Sequence, residues 1–444
     1  MTKFISTYSD KTEDFIKYTF RSLRHRNYRL FFSGQVVSLI GTWLQNTALS
    51  WLVYSITRDS RALGLMSFLG AVPVLLLGAY AGTIADEFPK RKIIILTQSF
   101  AGIFALMLSV FVWQDMTSIW VLGAINLMLG ITIAFDLPTR QSFVVEMVGK
   151  EDVANAVALN SAVFNAARLV GPAVGAAIIA SFSIELCFLL NGLSFAAVIY
   201  SLTRMKIQDE HRKRPQRKGS RIEAMKEGIK YLYSIPNYRA LMTLVIGMTL
   251  FAWSYTVNIP VIAVEILKGS SSTYGALLSA NGLGALVAAI TQAAFGAKLR
   301  PRKMLFISIG TFIMAMIALP FLAHVIPVMI CLGVAGWSII TFFITANSTL
   351  QRFVPDEYRG RVMGIYSLSF AGLFPFGSLL AGYLTHEYGI SAALWVDAVI
   401  MALIAIPTYL FMRNMPRLSD VMDAHRATTE ALAIEEQEEE LVNG

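Results

Sequence analysis

Residues 160–175 read NSAVFNAARLVGPAVG. Here a permanently charged Arg168 stands in an otherwise uncharged segment, three residues ahead of Gly171-Pro172. Apolar residues continue on both sides from Val153 to Ala180, more than the roughly 20 residues a bilayer-spanning helix needs. A guanidinium at that depth costs about 3 kcal/mol on insertion scales unless it faces protein or water. Gly171 and Gly175 form a small-xxx-small pair that lets another helix approach closely, and Pro172 removes a backbone donor. The stretch predicts a helix inside a bundle, with its charge turned to the interior.

The remaining chain has the composition to supply that interior. Its 444 residues are 55% hydrophobic and 15% charged, and its mean hydropathy of +0.58 lies outside the soluble globular range. Long apolar runs recur without the short alternation of a barrel, so the expected fold class is an all-α membrane protein. Twelve transmembrane helices are expected, at 31–56, 63–85, 93–113, 119–135, 153–182, 186–202, 241–264, 274–295, 304–322, 326–345, 362–384 and 392–412. They divide into a basic N-terminus (1–30), a six-helix bundle (31–202), a central loop (203–240), a second bundle (241–412) and an acidic tail (413–444). No cleavage site follows a short apolar core, so no removable signal peptide is expected. Cys187 and Cys331 both fall in apolar runs and point to neither a disulfide nor a metal site.

Basic residues set the orientation. If the N-terminal side and every second loop share one face, that face holds 33 of the 37 Lys and Arg residues. Arg58, Arg61 and Lys268 lie opposite and Arg168 lies within a span. The positive-inside rule then places both termini in the cytoplasm and the chain in the cytoplasmic (inner) membrane as a multi-pass protein. Within the central loop, Ile222, Met225, Ile229, Leu232 and Tyr233 recur at helical spacing and predict an amphipathic helix on the inner face, against membrane lipids. The net charge of +8 is accounted for by this distribution, and no nucleic-acid partner is expected.

The two halves repeat. Gln141-Ser142-Phe143-Val144 leaves the fourth span and Gln351-Arg352-Phe353-Val354 leaves the tenth, 210 residues later. The same offset aligns spans one with seven, two with eight and five with eleven, while Asn191 and Asp397 match at 206. Parallel six-helix repeats joined by a cytoplasmic loop are one plan of secondary transporters.

Polar groups within the spans are few. Gln35, Ser38, Thr42 and Gln45 make one stripe on the first span, with Asn46 at its edge. Asn126 lies in the fourth span, Trp253, Tyr255, Thr256 and Asn258 in the seventh, and Trp337, Ser338 and Thr341 in the tenth. Such groups in lipid must face protein or water, either in a cavity or in interhelical hydrogen bonds. Asp136, four residues before Arg140, and Asp397 are the acids available for proton coupling. At the junction of spans two and three, Gly78 and Gly82 make a close-packing surface, and Asp86 sits beside Lys90, Arg91 and Lys92. That turn is either a latch between the halves or an ordinary charged loop. Arg168 holds an anionic substrate group, biases a nearby acid, or ties its helix to its neighbours. No phosphate-binding loop, catalytic triad or metal-spaced cluster is present, so neither an enzyme nor a cofactor is expected.

Gly82-x-x-x-Asp86 followed by Lys90-Arg91-Lys92 resembles the loop signature of the major facilitator superfamily, with Glu87 and Pro89 replacing its usual basic residue and glycine. Gly171-Pro172-x-x-Gly175 resembles the fifth-helix antiporter element of that superfamily's drug exporters. The strings FDLPTRQSF, ALNSAVFNAARLVGPAVG and VPDEYRGRVMG resemble the branch holding the enterobactin exporter and macrolide-efflux relatives. The resemblance implies the major facilitator fold, with spans one, four, seven and ten lining a central cavity. Gln35, Ser38, Thr42, Gln45, Asn46, Asn126, Trp253, Tyr255, Asn258, Trp337 and Thr341 become its expected walls, with Arg168 alongside. It further implies proton-coupled export of a small, partly apolar, siderophore- or antibiotic-like molecule by a monomer, with Gly82, Asp86, Lys90, Arg91, Gly171, Pro172 and Gly175 in gating. Proton-coupled uptake and a non-transporting receptor or assembly protein are the alternatives.

Overall fold

The computed structural model describes residues 20–206, 221–296 and 299–413. The expectations for both termini, for most of the basic N-terminal segment, for residues 207–220 of the central loop and for the acidic tail lie outside them. Within the described residues every regular element is helical. A 3-10 turn, Arg21–Arg24, leads into α1 (Arg26–Thr57), α2 (Ser60–Glu87) and α3 (Lys90–Trp113). Ile119–Ser181 is one helical run broken at Gly149, whose φ of 74° suits glycine alone without strain; α4 precedes this elbow and α5 follows it. Next come α6 (Ile184–Thr203), the surface helix α7 (Arg221–Ser234), α8 (Pro236–Ile266), α9 (Ser271–Phe295), α10 (Pro301–Ala318) and α11 (Val325–Phe353). Asp356–Arg413 bends in the same way at Gly389, with φ 80°, into α12 and α13.

Ten of these runs are long and apolar enough to cross a membrane, and the two bent ones contain two spans each, which makes twelve. Their outward faces carry large apolar side chains, which only lipid accommodates over so wide an area. Trp113, Trp120 and Phe182, exposed by 72%, 78% and 76%, cluster at the arginine-poor end as an interfacial aromatic belt. The repeat extends to backbone detail. Helix α1 ends at left-handed Arg58 (φ 50°) and α8 at left-handed Lys268 (φ 51°), again 210 residues apart.

Within the first half α1 packs on α5 and α6, α3 on α6, and α2 on α4; within the second, α9 and α10 pack on α11, and α13 on α8. The halves meet along two seams, α2 with α12 and α5 with α9. At the arginine-poor end the α2–α12 seam is tight. A Cβ at Gly64 would sit 2.6 Å from the Ser378 carbonyl oxygen, and one at Gly382 would sit 2.6 Å from that of Ser60. Ser60 Oγ donates to the Gly382 carbonyl at 2.8 Å and His386 Nδ1 lies 3.1 Å from Asp59 Oδ1; beside the seam, Tyr54 of α1 donates to Glu265 of α8 at 2.7 Å. Gly82 lies eighteen residues beyond Gly64, about five turns at 3.6 residues each, and so shares its helix face; Gly364 is related to Gly382 in the same way. Nothing lies within 4 Å of the Cβ positions of Gly78, Gly82, Gly360 or Gly364. The two faces touch toward one end of the molecule and stand bare toward the lysine- and arginine-rich end.

At that end the N-terminal turn is fastened to the start of α5. Arg21 and His25 pair with Asp152, and Ser22 donates from its backbone to Asn155 at 2.9 Å. Helix α7 docks on α12, with Tyr231 stacked on Tyr358 at 4.2 Å and Glu227 3.1 Å from Arg361. Its Leu232 is buried, while Met225, Ile229 and Tyr233 stay exposed.

Candidate functional site

The irregular backbone of α8 places the aromatic residues of the site. Between Pro236 and Ile266 the helix passes through a π-turn (Met248–Ala252), a 3-10 stretch (Ser254–Asn258) and a second π-turn (Ile262–Ile266). Pro260 lacks an amide hydrogen and loosens the ladder beside them. Trp253 and Tyr255 sit on this section. Trp253 meets Phe343 at 5.3 Å and Phe370 at 5.0 Å between ring centroids, and those two rings are 4.8 Å apart, all edge to face.

Arg168 comes to the same place from α5. Gly171, one turn on, lets α1 approach so closely that a Cβ there would lie 2.5 Å from Trp43 Cβ. The half-buried guanidinium lies over the ring of Trp43 at 5.9 Å and over that of Trp253 at 5.7 Å. It donates to Asn281 Oδ1 of α9 at 3.1 Å. Asn281 Nδ2 in turn donates to the Tyr255 hydroxyl and, at 3.1 Å, to the Leu332 carbonyl. Gly282 admits α5 here, since a Cβ would sit 2.9 Å from the Arg168 carbonyl oxygen. Trp43 and Arg168 belong to the first half, Trp253, Tyr255 and Asn281 to the second, so the site straddles the seam.

Other expected wall residues turn to neighbouring helices. Gln45 accepts from Asn191 of α6 at 2.8 Å, Asn126 donates to the Met66 carbonyl of α2 at 2.6 Å, and Asn258 donates to Thr385 of α12 at 2.7 Å. Thr42 bonds its own helix at the Ser38 carbonyl. Ser38 is buried and Asn46 is exposed. Gln35 Oε1 and Thr341 Oγ1 are buried without a hydrogen-bond partner, while Trp337 is half-buried on α11. Of the expected set, the structure brings Arg168, Trp253 and Tyr255 together. It adds Trp43 and Asn281, which sequence reasoning passed over. Trp43 looked like one more apolar residue beside the span-one stripe; the signal for Asn281 was a lone amide against Gly282 and Gly284.

The acids differ. Asp136 accepts from Thr97 at 3.0 Å and Gln98 at 2.9 Å and pairs with Arg140. Asp397 is 3% exposed on α13 and makes no hydrogen bond or ion pair among the described residues. Asp86 is exposed beside the bare Gly82, and its neighbours bond elsewhere, Lys90 to Glu146 and Arg91 to the Thr203 carbonyl at 3.0 Å. The pairing of Asp86 with these cations that the latch reading allowed is absent from this conformation. No group of ligating side chains suited to a metal ion occurs among the described residues.

A family model described as transmembrane secretion effector matches residues 17–440. The staphyloferrin A transporter of Staphylococcus aureus is 24% identical over 87% of this chain and 96% of its own length. The enterobactin exporter EntS of Salmonella paratyphi A is 22% identical over 90% and 96%. Among solved structures, the nucleoside transporter NupG superposes with a TM-score of 0.69 over 89% of this chain and 100% of its own, at 14% identity.

Proposed function

The chain belongs to the transmembrane secretion effector family of the major facilitator superfamily, a family of transporters rather than enzymes, and from that premise we propose that it is a proton-coupled exporter. It drives a small, partly apolar molecule, siderophore- or antibiotic-like in size and chemistry, out of the cytoplasm by alternating access. The names of its relatives, a staphyloferrin A transporter and an enterobactin exporter, support transport of a small molecule, and the second supports export. The basic end faces the cytoplasm of a bacterial inner membrane, and the chain acts as a monomer, with no cofactor beyond the proton gradient.

The observation that carries the mechanism is the asymmetry of the α2–α12 seam. Glycine faces touch around Gly64 and Gly382 and stand bare at Gly82 and Gly364, so the same two helices are shaped to close at the cytoplasmic end as they are closed at the outer one. In the conformation described, the α2–α12 seam is open at the basic end and closed at the other. Rocking about the Arg168–Asn281 contact closes Gly82 and Gly364 and brings the exposed Asp86 to the opposite half, while the bridges Asp59–His386 and Tyr54–Glu265 part. Asp397, buried and without a partner among the described residues, is the carboxyl that takes a proton in one state and releases it in the other. Asp136 already has three donors and ties α3 to α4.

The test compares the small molecules inside and outside a deletion strain with those of its parent and a complemented strain. We expect a compound that accumulates inside and is depleted outside, restored by the gene. Depletion inside with accumulation outside would instead mark an uptake system.

A further inference from the structure

Arg168 is a cation without a counter-charge. Among the described residues its side chain bonds only Asn281, and no carboxylate pairs with it. The two acids within the bundle are otherwise placed, Asp136 against Arg140 and Asp397 on α13. A partly desolvated charge with no partner is costly, and an arginine cannot relieve the cost by losing its proton. Its guanidinium carbon lies 5.9 and 5.7 Å from the ring centroids of Trp43 and Trp253, and of its five N–H donors one bonds Asn281 among the described residues. Beside it, Trp253, Phe343 and Phe370 form an apolar wall of ring edges and faces.

We propose that this site takes a substrate bearing a carboxylate next to a flat ring, the carboxylate on the free edge of Arg168 and the ring against the Trp253–Phe343–Phe370 wall. The proposal rests on the transporter reading and adds the charge of its substrate. The fork of a guanidinium matches the two oxygens of a carboxylate, and charge-assisted bonds of this kind are about twice as strong as neutral ones. The residues that would hold it come from both halves, Arg168 from the first and Trp253, Phe343 and Phe370 from the second. Occupation of the site therefore bears on the contact about which the halves move.

The test uses the full-length protein in a non-ionic detergent, with 2-naphthoate and its neutral carboxamide as probes of one shape. Binding is read as quenching of tryptophan fluorescence. The naphthoate should quench saturably and bind at least about tenfold more tightly than the amide. Arg168→Gln should erase that preference and Arg168→Lys should keep part of it, while Trp43→Phe and Trp253→Phe should each remove part of the quenching signal. If Arg168→Gln yields no folded protein, the charged and neutral probes on the unaltered chain still decide. Equal affinity for the two probes, or no saturable quenching by the naphthoate, overturns the proposal. Charge-selective binding combined with no transport in vesicles would sink the exporter reading and leave the site standing; transport indifferent to substrate charge would do the reverse.

Discussion

Asp136 and Asp397 are both carboxyls within the bundle, and their surroundings assign them different work. Asp136 accepts from Thr97, Gln98 and Arg140, so Asp136→Asn deprives donors on two helices of a charged acceptor. It is expected to cost about 1–3 kcal/mol of stability, seen as a lower melting temperature in detergent with coupling retained in the folded fraction. Asp397→Asn removes a carboxyl that bonds nothing among the described residues and should leave melting nearly unchanged. Its pH-gradient-driven flux should fall at least about tenfold while exchange of substrate across the membrane persists. The reverse assignment, stability lost at Asp397 and coupling lost at Asp136, would contradict the account. At this scale the sequence was informative where a residue departs from its run. Arg168 stands out because a charge among apolar residues is conspicuous. Trp43 does not, because an indole on an apolar helix breaks no pattern, and Asn281 shows only as a lone amide among small residues. Gln45, Asn126 and Asn258 were visible as polar, but their direction depends on which helix lies beside them, and that depends on tertiary packing.

Two elements carry predictions of their own. On α2, Gly82→Leu adds bulk where nothing lies within 4 Å, so stability should be unaffected, yet the side chain would obstruct closure of the cytoplasmic end and stop transport. Gly64→Leu instead drives a side chain into the Ser378 carbonyl and should lower the melting temperature, at an overpacking cost of about 1–3 kcal/mol. Equal effects of the two on melting would remove the seam argument. The N-terminal turn is the second element. The bond from His25, and then that from Arg21, holds the Asp152 carboxyl below its ordinary range. A depressed carboxyl stabilises the fold above its unfolded value, about 3.9, and that contribution disappears as the pH falls through the lower folded value. The clamp should therefore hold through neutral and mildly acidic pH. Asp152→Asn should release it at neutral pH, seen as faster trypsin cleavage after Arg21 and Arg24; unchanged cleavage would mean that Ser22 and Tyr28 suffice to hold the turn. The helices themselves were legible from hydropathy, though α1 begins at Arg26 and α11 runs to Phe353, past their apolar stretches, because backbone bonding continues into the polar interface. The π and 3-10 turns of α8 were not legible, since Pro260 marks only one point of a break extending from Met248 to Ile266.

At the scale of the molecule, two repeats of six helices enclose a site assembled from both. The repeat was readable from the 210-residue offset, and the matched left-handed ends at Arg58 and Lys268 carry it down to backbone angles. Which end of the seam is closed was not readable, because Gly64 and Gly82 are the same residue type on the same face and only packing against α12 separates them. In the transport cycle proposed for this protein, the halves trade one closed end for the other. Spin labels on the exposed positions Glu87→Cys with Glu357→Cys report the basic end, and Arg61→Cys with Glu387→Cys report the opposite one, with the buried Cys187 and Cys331 left unlabelled. Electron-spin distance measurements in lipid nanodiscs, from mildly alkaline to mildly acidic pH, follow both pairs. A second population is expected, in which the first pair shortens as the second lengthens. A single unchanging distance at both ends, or both pairs moving in the same direction, would contradict it.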